Sequence, residues 1–531
     1  MTESFVRISA IARAEIRFRF RRTAALVAWL VVAASVYIII PNPQIGWALM
    51  RINGMRVLYN SAAVALGTGV FCSVILSLAG YYLVSNSLRR DIISRTGIII
   101  AATPMTNLEC IGGKSIGNLA YLASIPVACM ASAMLMFLLR GESSLEPLVF
   151  VSTYLWLTGP VVVFCSTIAL AFESLPALSG RFGDLVYFFI WTAIVSFPAT
   201  ELATNPNSSW TSAFDVTGVA MVIRALQEQF HTTEMTIGGA TIDPSRPTIL
   251  FPGITWSTTI IIGRALALFL PILFIGFATL WFHRFNPSRV KMGIQRGKRN
   301  ILGKVNRMLK PLTRIVWSLA PSEGRETLGH AVTADVITTL TAVPLIAIGV
   351  IGFGIACVAL EPNSVVQPIL PIIFFVLTFG LADIAVRDNS AGTINLLFTA
   401  PGLREKYVVW KFLSVLAVTL MFTLIPMVRL MAVTPRAALS LLIGSCLVSS
   451  SATSFGIMTR SPKLFIGFFL MLLYISLNSH EAAALDFAGF NLRATPAVQA
   501  SYAFVSVALL LLAEIRHRAN LADTGKLILF R

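Results

Sequence analysis

Along most of this chain apolar residues gather into runs of about 18 to 25, the length of helix that crosses a hydrocarbon core of roughly 30 Å. The first set lies near Thr23–Ile40, Ala62–Val84, Ile116–Leu139, Pro147–Phe172, Leu185–Phe197 and Thr258–Phe282. A second set lies near Ile337–Leu360, Val365–Ala382, Phe412–Val433, Ala437–Ile457, Leu464–Leu477 and Ala497–Leu512. In each set the fifth run is too short to cross comfortably. After Leu185–Phe197 come an amphipathic stretch at Val216–Phe230 and the turn-rich sequence GGATIDPSRP, the pattern of a broken or re-entrant element. HEAAALDFAGFNLRATP follows the shorter twin. The periodicity predicts an all-α polytopic membrane protein of about 12 transmembrane helices in two six-span halves.

Two further stretches alternate polar and apolar residues at helical spacing. Residues 4–22 interleave Arg7, Arg13, Arg17, Arg19, Arg21 and Arg22 with Phe5, Ile8, Ile11, Ile16 and Phe20. They read either as a helix in the cytoplasmic interface or as a basic flank that orients the first span. From His283 to Glu326 the chain carries eleven Lys and Arg against two Glu, and Ile301–Leu319 is amphipathic. The expected division is therefore a first six-span half over 1–282, a basic cytoplasmic connector over 283–326 and a second six-span half over 327–531.

The loop between the second and third runs occurs twice. Arg90–Lys114 reads RDIISRTGIIIAATPMTNLECIGGK, and Arg387–Lys411 reads RDNSAGTINLLFTAPGLREKYVVWK. At one shift of 297 residues Arg90 pairs with Arg387, Asp91 with Asp388, Thr96 with Thr393, Pro104 with Pro401 and Lys114 with Lys411. Five identities in one register and one hydropathy context argue for an internal duplication. In the second copy Ile394, Leu397 and Phe398 form one stripe of a short helix that Pro401 ends. In the first, Pro104 ends the same helix, and Thr106 or Asn107 can cap the next. Each loop is expected to protrude inward as a helical hairpin.

Composition agrees with a membrane protein: 56% of residues are hydrophobic and 12% charged, against about 25% charged in soluble chains. The formal charge of +17 would suggest nucleic acid in a soluble protein. Here the basic residues cluster in short loops on one side, whereas region 198–256 has two basic and five acidic residues. The bias predicts both termini in the cytoplasm and no nucleic-acid partner. The first apolar run is span-length, unlike the short core of a signal peptide. Cys72, Cys110, Cys129, Cys165, Cys357 and Cys446 are scattered and read as packing residues.

Catalytic and cofactor motifs fail on inspection. Gly113-Lys114-Ser115 resembles the end of a phosphate loop, but Leu108 stands where that loop needs glycine. His480-Glu481 opens a zinc pattern whose second histidine is Ala484. The chain is therefore expected to be no enzyme, to hold no metal, and to bind no nucleotide itself.

The Arg-Asp start, the Thr with a neighbouring Gly, the Pro and the Lys that opens the third span resemble the ATP-binding-cassette (ABC) permeases of the type-2 export class. The second copy has Gly392-Thr393 where the first has Thr96-Gly97, so the glycine is out of register. The resemblance implies a permease subunit of an ATP-driven exporter, with two halves fused in one chain. Its partners would be two copies of a cytoplasmic ABC ATPase, which brings ATP and Mg, and the membrane lipids. Its place would be the bacterial cytoplasmic (inner) membrane. The coupling elements would be Arg90, Asp91, Thr96, Pro104 and Lys114 with Arg387, Asp388, Thr393, Pro401 and Lys411. Without that resemblance, a secondary transporter of six plus six spans and a membrane-embedded scaffold or enzyme are the rival readings. Few Asp or Glu lie inside the spans to couple ions.

Two charges fall inside spans. Arg264 lies about 12 Å, and Arg429 about 8 Å, from the outer ends of their helices. Either they snorkel to the interface, or they meet an anionic group of the cargo.

Overall fold

The computed structural model describes residues 2–529 except 43–45, 205–214, 233, 244, 284, 286–316, 319–326, 343, 362–364, 366, 400–401 and 479–482. The expected interfacial helix at Ile301–Leu319, Pro401 and the His480-Glu481 pair lie outside the described residues or nearly so. The chain divides into two compact units, Met1–Ile294 and Gln295–Arg531. Each is mostly helical. Among the described residues, seven helices are long and apolar enough to cross a membrane, or eight if one bent pair is a single span.

The first unit begins with α1 (Thr2–Phe20) and α2 (Thr23–Ile39), which meet at a 64° bend. Strands β1 (Trp47–Ile52) and β2 (Met55–Arg56) follow. Next come α3 (Ser61–Val84), α4 (Ser87–Ile93) and α5 (Thr96–Ala102). The long helices α6 (Asn107–Arg140) and α7 (Pro147–Ser174) lead to α8 (Arg181–Thr204). Beyond α9 (Val219–Phe230) and β3 (Met235–Thr241), the last crossing is α10 (Thr258–Phe269) and α11 (Leu273–Trp281) with a single 3-10 turn between them. Pro271 sits in that turn, where its missing N–H interrupts the ladder.

The all-α expectation needs one correction. The three strands form an antiparallel sheet in the order β2-β1-β3. Its tight turn is Asn53-Gly54, both with positive φ (51° and 72°), the pairing that two-residue hairpins favour. The sheet and α9 cover one end of the bundle: Leu49, Met50, Ile52 and Leu226 are buried with Val36, Leu66, Phe137, Phe150 and Leu157.

The second unit opens with α12 (Leu328–Ala342) and α13 (Pro344–Ala359), with residue 343 outside the described ones. The order then repeats: α14 (Ile369–Ile384), α15 (Arg387–Ser390), α16 (Ile394–Leu397), α17 (Tyr407–Val433) and α18 (Pro435–Thr459). Helices α19 (Lys463–Asn478) and α20 (Pro496–Leu529) complete it. Several buried hydroxyls of α18 return to its own backbone, as from Ser445 to Leu441 and from Ser449 to Ser445, while Ser454 donates to Leu509 on α20 at 2.8 Å. Small, internally satisfied side chains let neighbouring helices approach closely.

Candidate functional site

Each repeated loop is built by local turns and then locked at its root. Asn86 and Arg95 adopt the left-handed conformation (φ 75° and 60°) and separate α3, α4 and α5. Glu173, at the end of α7, accepts from the backbone N–H groups of Ser87 and Leu88 at 3.0 and 2.6 Å, capping α4. Thr96 donates its hydroxyl to the Asp91 carbonyl at 3.4 Å. Thr393 does the same to Asp388 at 3.3 Å, so the shared threonine pins the same turn in both loops. Pro104 ends α5's run and is exposed, its carbonyl accepting from Arg7 at 3.1 Å. Thr106 and Glu109 then form a reciprocal capping box for α6.

The structure brings the remaining loop residues together as buried ion clusters. In the first unit Lys114 Nζ lies 2.6 Å from Asp91 and 3.8 Å from Glu15. Arg90 reaches Glu15 at 2.6 Å and Asp91 at 3.4 Å. Glu15, on α1, also pairs with Arg19 at 2.9 Å. Arg19 in turn donates to the carbonyls of Leu83 and Val84 at 3.1 and 2.8 Å, where the end of α3 lacks intrahelical donors. Burial pushes the Glu15 carboxyl up, but Arg19, Arg90 and Lys114 outweigh it and hold its pKa down at about 2. The α1 carboxylate is therefore charged across the physiological range.

In the second unit Lys411 Nζ lies 2.6 Å from Asp388 and 2.7 Å from Asp335 on α12. Arg387 stands 3.7 Å from Asp335 and donates to Thr339 at 2.8 Å. Tyr407 donates to Asp388 at 3.3 Å. Asp335 thus does for the second unit what Glu15 does for the first. Both acids lie just before the first apolar run of their unit, and each ties its helix to the loop root. Asp91 and Asp388 are consequently buried in ion pairs and present no charge outward. Each loop exposes apolar side chains, Ile98 and Ile99 on α5 and Leu396 on α16, alongside charged ones such as Arg95 in the first and Arg404, Glu405 and Lys406 in the second.

Gly113 and Gly117 explain how α1 comes so close. A Cβ on Gly113 would stand 2.8 Å from Ile11 Cβ, and one on Gly117 2.6 Å from Glu15 Cβ. The two glycines, one turn apart, form a small-xxx-small seam along α6. The phosphate-loop look of Gly113-Lys114-Ser115 is thus a helix-packing feature. Gly112, beside it, has open space. Gly117→Ala should cost about 1–3 kcal/mol through overpacking, whereas Gly112→Ala should gain about 0.5–1 kcal/mol from helix propensity. Thermal denaturation of the two detergent-solubilised variants checks this. Equal shifts would mean that α1 does not depend on the seam.

No known protein family, curated protein or solved structure matches the chain.

The geometry also places the two arginines that the sequence singles out. Arg264 is buried, and four of its donors reach backbone carbonyls: Trp156 at 2.8 Å, Leu157 and Val216 at 3.2 Å, and Asp215. Pro160 lacks the N–H that would have paired with Trp156 four residues earlier, so Arg264 satisfies a carbonyl that the helix leaves free. Asp215 accepts from the N–H groups of Gly218 and Met221 at 2.8 and 2.9 Å and so caps α9. Arg264 neither snorkels nor offers a free fork; it anchors the segment before α9.

Arg429 donates to the carbonyls of Cys357 and Leu360 at the end of α13. Arg140, at the end of α6, makes the matching contact with Tyr37, at 3.3 Å, and Ile40 at the end of α2. In each unit an arginine on the third apolar helix caps the first, a favourable site for a cation. Glu15, Arg140 and Asp335 were not identified from the sequence, and Arg19, read there as one of the arginines of a basic stretch, is buried against Glu15 and the end of α3. Among the described residues no three His, Cys, Asp or Glu side chains converge to hold a metal ion, and the acids of both clusters face lysine and arginine.

Proposed function

We propose that the chain is the permease of a type-2 ABC exporter, with two six-span halves fused and two copies of a separate cytoplasmic ATPase docked on the repeated loops. The observation that carries this reading is the pair of clusters: each unit has one loop whose root is locked to a preceding helix and to the third span by buried ions, and whose tip exposes apolar side chains. Such a loop can receive a push at its tip and pass it to two helices at once. The seven long helices, the four shorter apolar ones and α2 fall on the twelve segments expected as spans, which supports the count. With the basic side inward, both termini would be cytoplasmic, in a bacterial inner membrane.

The mechanism requires the ATPase to bind the loops with different affinity in its two nucleotide states, because only differential affinity shifts a conformational equilibrium. ATP-driven closure of two ATPase subunits would then draw the loops together and open a path outward between the halves. Substitution at Asp91 or Asp388 would test the clamp and not the docking face. Ile99→Asp and Leu396→Asp, at positions 69% and 72% exposed, test docking itself. The tagged chain purified from its native membranes should bring down an ATP-hydrolysing subunit, and each variant should lose most of it at unchanged membrane abundance. An eluate with no ATPase from the wild-type chain, or full retention by the double variant, rules the reading out.

A further inference from the structure

The second unit carries a shallow apolar groove of about 550 Å³ between α13 and α17. Val350, Ile351, Gly354, Ile355 and Val358 form one wall along about 13 Å of helix, and Ile425 forms the other. Gly354 keeps it open: a Cβ there would stand 3.1 Å from Ile425 Cδ1. Ile351, Ile355 and Val358 are 60%, 65% and 69% exposed. The volume falls within the range of ligand sites, about 300–1,000 Å³.

One helical turn beyond Ile425, on the same face of α17, stands Arg429. Its partners are the neutral carbonyls of Cys357 and Leu360. A helix C-terminus carries only about half a negative charge, so the guanidinium keeps net positive charge at the mouth of the groove. Glu361 follows Leu360 in the chain and is exposed, yet no ion pair joins it to Arg429. A long apolar slot ending at an incompletely neutralised, fork-shaped donor is complementary to an amphiphile with an anionic oxygen head. We propose that this groove takes one acyl chain of an anionic phospholipid of the surrounding membrane, with the phosphate held by Arg429.

Within a bilayer the acyl chain gains no hydrophobic energy by entering the groove, since lipid tails are as apolar as its walls. Selectivity must then come from the head: guanidinium and phosphate pair through two parallel hydrogen bonds, which a zwitterionic headgroup of the same chains matches less well. The first unit supplies a control. Arg140 makes the same helix-end contact but packs over the Tyr37 ring, 4.7 Å from its centroid.

The proposal does not depend on the permease reading, and its test uses no nucleotide. Purified full-length chain is reconstituted in nanodiscs with phosphatidylglycerol bearing a photoreactive acyl chain, and in parallel with phosphatidylcholine of the same chains. Label from phosphatidylglycerol should map to residues 350–359 with at least a fivefold excess over phosphatidylcholine. Arg429→Gln should bring the ratio near one, and Arg140→Gln should leave it unchanged. Ile351→Trp, at an exposed position where packing is not disturbed, should fill the slot and remove the label from both lipids. Equal labelling by the two lipids in the wild-type chain, label confined to other segments, or an Ile355→Cys variant that cross-links to protein and not to lipid would each overturn the proposal.

Discussion

Lys411→Met will cost the second unit about 3–5 kcal/mol, the range for removing one partner of a buried ion pair. The ammonium is fully buried between Asp335 and Asp388, at 2.7 and 2.6 Å. Methionine has a similar length and fills the same space, so the loss is electrostatic and not a cavity. Arg387 cannot take over, because it lies 3.7 Å from Asp335 and its side chain is one-quarter exposed. Two carboxylates would then face each other with one distant cation. Adding Asp388→Asn restores the balance to one cation and one carboxylate, and should recover at least half of the loss. The exposed Arg518–Glu514 pair, at 2.7 Å with 77% of the arginine side chain accessible, is the comparison. Glu514→Gln there should change stability by less than about 0.5 kcal/mol. Denaturation of these detergent-solubilised proteins, with Asp388→Asn alone closing the cycle, gives the coupling directly. A Lys411→Met chain as stable as wild type, or a double variant no better than the single, would show that the cluster does not hold the loop.

The reason this cluster was only half legible is instructive. Arg387, Asp388, Thr393 and Lys411 could be found because they repeat Arg90, Asp91, Thr96 and Lys114 at one shift. Glu15 and Asp335, which complete the clusters, lie at a different shift of 320 residues, because 76 residues separate acid from loop in the first unit (91 − 15) and 53 in the second (388 − 335), the first stretch including β1 and β2. A signal existed nonetheless. Asp335 is the only acidic residue in LGHAVTADVITTLTA, and a lone acid on a helix at a membrane surface calls for a partner. The apolar runs were readable as apolar helices because burial in lipid needs no partner-specific pattern. The sheet was not, since β1 is six residues long and β3 carries two glycines. Asn53-Gly54 was the overlooked hairpin mark. Arg264 was locatable but its role was not, because its partners are backbone carbonyls that every residue carries. Only Pro160, four residues after Trp156, marked one of them as free.

Arg264→Met should therefore release the end of the first unit and not merely alter selectivity. The change removes donors to Trp156, Leu157, Asp215 and Val216 at once, and each buried carbonyl left unpaired costs about 1–3 kcal/mol. Trp156 has no second donor to turn to, because Pro160 occupies the position that would supply one. The segment from Asp215 also loses its tie to α7, keeping Ser73, whose hydroxyl donates to the Thr217 carbonyl at 2.6 Å. Even a net loss of about 3 kcal/mol, well below the sum of four, lowers local protection roughly a hundredfold. Hydrogen exchange at the amides of Val222 to Phe230 reads it, with Leu226 buried at the centre of that helix. Arg264→Lys keeps the charge but offers a compact head that cannot span carbonyls on two segments, so it should fall between wild type and methionine. An anchoring arginine and a cargo-binding one part company here. If exchange over α9 is unchanged in both variants while transport fails, Arg264 acts on cargo; if exchange rises in the order wild type, lysine, methionine, it holds the fold.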